Sequence, residues 1–205
     1  MNNKTALLVI DVVNGCCHQE CETPEDGITY KKIRKMVPRL QAFINDYRRD
    51  INENVIYINL TPWTKQYLPP NIQKLYENPS VCYYGEGGFE EEFYNLAPRE
   101  NDRVITKNTY DAFANPELEK MLKQLNTDTI AVAGVFTDGC VLSTIISGFS
   151  KGYNFIILKD LVETTDLPIR QRLAKDLLGY TIPMQYGRVL QSGEFLKEKM
   201  GGNAP

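Results

Sequence analysis

Short, nearly unbroken apolar runs separated by stretches of helical periodicity constrain this chain more than any other feature. They are Ala6-Leu7-Leu8-Val9-Ile10, Val55-Ile56-Tyr57-Ile58-Asn59-Leu60, Thr129-Ile130-Ala131-Val132-Ala133 and Phe155-Ile156-Ile157-Leu158. A strand with one face in water alternates apolar and polar residues; runs like these suit strands covered on both faces, as in a parallel sheet. Arg103-Val104-Ile105-Thr106 and Arg188-Val189-Leu190 are shorter candidates of the same kind. Between them, Ile33, Val37, Leu40, Phe43, Ile44 and Tyr47 recur at helical spacing, and Pro38 is expected to kink that helix or mark its start. Asn115-Pro116 predicts a cap and a first helical residue, followed by Leu118, Met121, Leu122 and Leu125 on one face. Pro168 is expected to open a helix that runs to Leu178 and stops at Gly179, and Ser192 to cap a terminal helix. Residues 63–101, rich in proline and holding Gly85, Gly87 and Gly88, read as a long surface excursion. Strands alternating with helices predict an α/β fold with a mostly parallel sheet, and the lack of a repeat or linker predicts one domain over residues 1–205.

Composition narrows the function classes. A net charge of −3 gives no electrostatic reason to expect a nucleic acid or an anionic membrane as partner. No apolar run is long enough to cross a bilayer, and the N-terminus lacks a signal-peptide pattern, so a cytoplasmic location is expected. The five cysteines, Cys16, Cys17, Cys21, Cys82 and Cys140, are an odd number, which argues against a disulfide framework. Cys16-Cys17-His18 with Cys21 offers zinc-type ligands, but the spacing is irregular and no second paired cluster exists, so no metal and no cofactor are expected.

Three predicted strands end in Asp11, Lys107 and Cys140. In open α/β sheets ligands bind beyond the carboxyl ends of the strands, where side chains distant in sequence converge. Cys140 closes the turn Gly134-Val135-Phe136-Thr137-Asp138-Gly139-Cys140, between a buried strand and the helix-like Val141-Leu142-Ser143-Thr144-Ile145-Ile146. A helix N-terminus favours an anion, so the thiol is expected to ionise more readily there. An Asp base, a Lys cation and a Cys nucleophile form a coherent chemical set. Trp63, Tyr110, Phe113 and Phe136 are candidates to line an apolar substrate pocket.

Asp11 after the first strand, Lys107 followed by Tyr110-Asp111-Ala112-Phe113, Gly88-Phe89 upstream, and the Gly134–Val141 stretch together resemble the isochorismatase-like cysteine hydrolases, from about Ala6 to about Asp160. The resemblance implies a doubly wound, three-layer α/β/α sandwich and an Asp11–Lys107–Cys140 triad. It implies a cis peptide at Val135–Phe136, and an oxyanion hole made by the N–H groups of Phe136 and Cys140. It also implies hydrolysis of a C–N bond in a small amide, ureide or carbamoyl compound through a thioester, and a homodimer or homotetramer.

The chain departs from the family pattern in places. Nicotinamidase-type members carry an Asp-x-His metal site after the second strand; here Asn59-Leu60-Thr61-Pro62-Trp63-Thr64 stands there, and His18 is the only histidine. Val13 and Cys16 occupy positions where many relatives have Gln and Phe. Cys140 favours the amidase branch over the namesake, which does not depend on a nucleophilic Cys. Two other readings compete. A haloacid-dehalogenase-type phosphatase also has an Asp after its first strand and a later Lys. It wants a second Asp at position 13, where Val13 stands, and a late acidic cluster that Lys159-Asp160-Leu161-Val162-Glu163 matches poorly. The other is a non-catalytic binding protein on the same fold, against which the intact Asp11, Lys107 and Cys140 speak.

Overall fold

The apolar runs form the parallel sheet that their composition demands. The structure, a computed structural model, describes residues 4–51, 54–75 and 88–201. The strands are β1 (Lys4–Ile10), β2 (Asn54–Leu60), β3 (Arg103–Lys107), β4 (Thr127–Val135), β5 (Asn154–Glu163) and β6 (Gly187–Leu190), in the order β3-β2-β1-β4-β5-β6. Every pairing among them is parallel. The main helices are α1 (Lys31–Asp46), α2 (Pro116–Gln124), α3 (Leu142–Ser150), α4 (Pro168–Asp176) and α5 (Ser192–Gly201).

Alternate residues of each strand face opposite layers. Leu7, Val9, Val55, Tyr57, Ala131 and Ala133 join one core with α1 and with Phe195 of α5. Ala6, Leu8, Ile10, Ile56, Ile58, Ile130 and Val132 join a second core with Leu118 and Leu122 of α2 and Ile145 of α3. Two apolar faces per strand explain why the runs show little alternation, and the result is a three-layer α/β/α sandwich. Among the described residues no helix is long and apolar enough to cross a membrane.

Several local expectations change. Helix α1 begins at Lys31 and continues past Pro38, which sits on its exposed side, so the proline does not mark its start. Gly179 does not stop a helix: beyond α4 the chain continues through a widened turn, Leu177–Thr181, into the short helix Ile182–Gln185. Ser192 is the first residue of α5 rather than its cap; its N–H and hydroxyl donate to Asp160 at 2.7 and 2.6 Å. Strand β5 runs on past Asp160 to Glu163, its pairing to β4 jumping from Val132↔Ile157 to Gly134↔Val162.

The segment after β2 is less superficial than its composition suggests. Trp63, Leu68, Ile72 and Leu96 are buried in the first core, and Pro70–Leu75 is a short helix. Further on, the chain returns along the loop that follows β1: the Asn14 and Gly15 N–H groups donate to the Glu92 and Glu90 carbonyls, and Tyr94 donates to Val12. Gly85 and Gly87, like Cys82, lie outside the described residues.

Candidate active site

The strand order reverses direction between β1 and β4, and a doubly wound sheet opens a crevice there. Asp11 immediately follows β1, with a left-handed backbone (φ 52°), and its N–H donates to the Ile58 carbonyl at 3.0 Å. Next to it, β4 approaches β1 at Ile10↔Gly134. Only glycine fits at 134: φ is +117°, and a Cβ there would stand 2.1 Å from the Ile10 carbonyl oxygen. The Val135–Phe136 peptide that follows is cis. The turn Thr137–Val141 is then closed by the Phe136 carbonyl, which accepts from Gly139 and Val141 at 2.9 and 3.2 Å.

Lys107 ends β3, level with Leu60, so it stands beyond the Ile10↔Ile58 pair and reaches back across β2. Its Nζ lies 2.8 Å from Asp11 Oδ2, with the two side chains 0% and 1% exposed. Lys107 also donates to the Thr109 carbonyl at 2.9 Å. The structure therefore brings Asp11, Lys107 and Cys140 together from separate strand ends, and both charged groups act on the thiol.

The protonation states differ from what the helix end alone suggests. Burial pushes the Cys140 thiol up to about 12; the Asp11 charge adds to this and Lys107 opposes it. Burial also raises the Asp11 carboxyl above its usual value, against the pull of Lys107. For Lys107 burial works downward, but the Asp11 charge, the neighbouring Cys140 sulfur and hydrogen bonds to both together outweigh it and raise the ammonium above its usual value. At rest and neutral pH the thiol is neutral, beside the buried Asp11–Lys107 contact.

Cys140 opens onto a cleft of about 420 Å³, within the range typical of small-molecule sites. Leu60, Trp63, Tyr110 and Phe136 supply apolar and aromatic wall, with Tyr110 39% exposed at the rim. Phe113 lies elsewhere. Asp111 accepts the Phe113 N–H at 2.8 Å, and the ring stacks on Tyr153 over the space left by Gly148. Cys16 lines the cleft too, whereas Val13 is fully buried in the first core.

Asp138, Ser143 and Arg170 also line the cleft. Arg170 donates twice to Asp138, at 2.7 and 2.8 Å, and Thr164 Oγ1 donates to the same carboxylate at 2.5 Å. The guanidinium carbon lies 4.8 Å from the centre of the Phe136 ring, which also stacks on Tyr30. Burial works against the Asp138 charge, but hydrogen bonds from Arg170 and Thr164 outweigh it and hold the carboxyl below its usual value. Asp138, in the Thr137–Val141 turn, is visible in the sequence; its partner Arg170, on another helix, carries no local signal.

The remaining candidates have structural partners. His18 accepts from the Glu20 N–H at 3.2 Å and sets its ring edge-on to Phe89 and Tyr94. Cys16, Cys17, Cys21 and Cys140 are free thiols, and among the described residues no group of three or more His, Cys, Asp or Glu side chains is placed to hold a metal. Asp160, in the segment a phosphatase would need for its acidic cluster, is occupied by Ser192.

The chain is 31% identical over 186 residues to the ureidoacrylate amidohydrolase RutB of Cronobacter turicensis, covering 83% of this chain and 79% of that protein. It is 27% identical to the ureidoacrylate amidohydrolase RutB of Acinetobacter baylyi, covering 77% and 69%. A cysteine hydrolase from Pseudomonas syringae shares the fold with a TM-score of 0.81 at 24% identity, over 97% of this chain and 93% of that one. The N-carbamoylsarcosine amidase from Thermoplasma acidophilum shares it with a TM-score of 0.68 at 23% identity, over 92% and 96%. The isochorismatase domain model matches residues 5–181, and with a match of that extent the chain belongs to the isochorismatase-like hydrolase family.

Proposed function

We propose that this chain is a cysteine-dependent hydrolase that cleaves a C–N bond of a small amide, ureide or carbamoyl compound. The observation that carries the reading is the Cys140 thiol on the cleft wall, backed by the buried Asp11–Lys107 pair. Relatives named as amidohydrolases support the bond type. In this reading Asp11 accepts the Cys140 proton as the thiol sulfur attacks the substrate carbonyl, so a thiol that is neutral at rest becomes a nucleophile only in the reaction. The backbone N–H groups of Phe136 and Cys140, at the two ends of the turn, receive the charge on the tetrahedral oxygen. Asp11 then protonates the departing amine, leaving a thioester, deprotonates the water that attacks it, and returns that proton to the Cys140 sulfur as the acid product leaves. Lys107 stays charged throughout and keeps Asp11 ionised between steps.

The test is ammonia release from a panel of small amides and ureides, ureidoacrylate included, by the wild type and by Cys140→Ala. The variant is expected to keep its melting temperature within a few degrees and to lose at least about a thousand-fold in turnover. Turnover by Cys140→Ala within tenfold of wild type would sink the nucleophile assignment.

A further inference from the structure

The cleft carries one feature that the proposed chemistry does not use: its cation is already spent. Arg170 faces the cleft, yet two of its donors are committed to Asp138, a carboxylate that lines the same cleft with its side chain 5% exposed. The other cation nearby, Lys107, is buried against Asp11. Among the described residues lining the cleft no other charged side chain occurs. The residues outside the described ones include no lysine, arginine or histidine, so they add no cationic side chain.

From this pairing we infer that the site selects uncharged substrates: a planar amide or ureide with an apolar body, rather than one bearing a carboxylate. This rests on the hydrolase reading above and refines its substrate. A carboxylate entering the cleft would give up its hydration with no unpaired cation to receive it, and would lie near the Asp138 and Asp11 charges. An uncharged planar group meets neither penalty, and Leu60, Trp63, Tyr110 and Phe136 offer it apolar and aromatic surface. Asp138 is thereby a specificity-determining residue. By neutralising Arg170 it turns what would be an anion-binding pole into a neutral one, and it separates this chain from a site built for ureidoacrylate.

The experiment compares ureidoacrylate with its methyl ester, an uncharged analogue with the same ureido group, by ammonia release and by calorimetric binding to the inactive Cys140→Ala protein. Wild type is expected to favour the ester at least tenfold in kcat/KM, and Cys140→Ala to bind it correspondingly tighter. Asp138→Asn, which keeps an acceptor for Arg170 but removes the charge, is expected to shift the ratio at least tenfold toward the carboxylate. Arg170→Gln, which leaves Asp138 unopposed, is expected to shift it the other way and serves if Asp138→Asn fails to fold. Equal or better use of ureidoacrylate by wild type overturns the inference, as does the absence of binding of either compound at millimolar concentration. If neither compound is hydrolysed while Cys140→Ala still prefers the ester, the hydrolase reading fails and the charge selection stands.

Discussion

Replacing Lys107 by methionine probes the buried pair directly. Lys107 Nζ lies 2.8 Å from Asp11 Oδ2 with both side chains shut off from water, and it also donates to Thr109. Removing one partner of a buried ion pair costs about 3–5 kcal/mol, because the remaining charge is uncompensated. The lost hydrogen bond to Thr109 adds about 1 kcal/mol. Methionine fills most of the lysine volume, so the cavity contribution is small. The cost depends on pH, and Asp11 sets the sign. Burial already holds its carboxyl above the unfolded value, against the pull of Lys107. Without Lys107 the folded pKa rises further, so over that interval the folded state keeps a proton that the unfolded state has released. Stability then falls as pH rises from the unfolded pKa to the new folded one. Lys107→Met should lose about 4–6 kcal/mol near pH 8 and clearly less near pH 5. Urea unfolding followed by circular dichroism at both pH values measures this, with Asp11→Asn and the double variant alongside. The double variant should recover most of the loss, since it has no orphaned charge. A loss below about 1 kcal/mol at the higher pH, the value of an exposed pair, would refute the reasoning, and so would equal losses at the two pH values.

Other consequences can be checked more briefly. Gly134→Ala puts a methyl group 2.1 Å from the Ile10 carbonyl oxygen at a φ that side chains rarely adopt. The expected loss is about 3 kcal/mol or more, a fall of roughly 6–12 °C in Tm for a chain of this size; a fall under about 2 °C would contradict the close approach. Asp160→Ala strips the Ser192 N–H and hydroxyl of their acceptor and should cost about 1–2 kcal/mol. Turnover should be unchanged, and a lost activity would mean that β5 shapes the cleft. With its pKa pushed up to about 12, the Cys140 thiol should show no thiolate absorbance near neutral pH in the ultraviolet difference between wild type and Cys140→Ser. A thiolate at neutral pH would show that the helix end dominates after all.

The elements and their order were legible because they depend on local pattern. Unbroken apolar runs require a sheet covered on both faces, and the helical spacing of Ile33 to Tyr47 requires an amphipathic cover. Asp11, Lys107 and Cys140 could be singled out because each lies at or just beyond the end of a strand, and strand ends in a parallel sheet share one edge. Helix stops were read less well. Pro38 and Gly179 are punctuation only where tertiary packing does not override them; both lie on exposed sides of helical chain, and the buried faces of those segments outweigh a local cost of about 1 kcal/mol for Gly and about 3 kcal/mol for Pro. Phe113 stands away from the cleft because its side chain follows the turn capped by Asp111 into the space above Gly148, and that space exists only once α3 is docked.

By itself, then, the sequence determined the alternation of strands and helices and the chemical character of the three residues at the strand ends, which follow from local periodicity and residue type, while its motifs carried the resemblance to the family. The tertiary structure alone decided their state. Burial, a property of the whole packed molecule, makes Cys140 a neutral thiol where its helix end suggested an acidic one. Only the docking of α4 against the Thr137–Val141 turn reveals that Arg170 is paired with Asp138, because that ion pair joins residues too far apart in the chain for any local pattern to connect them.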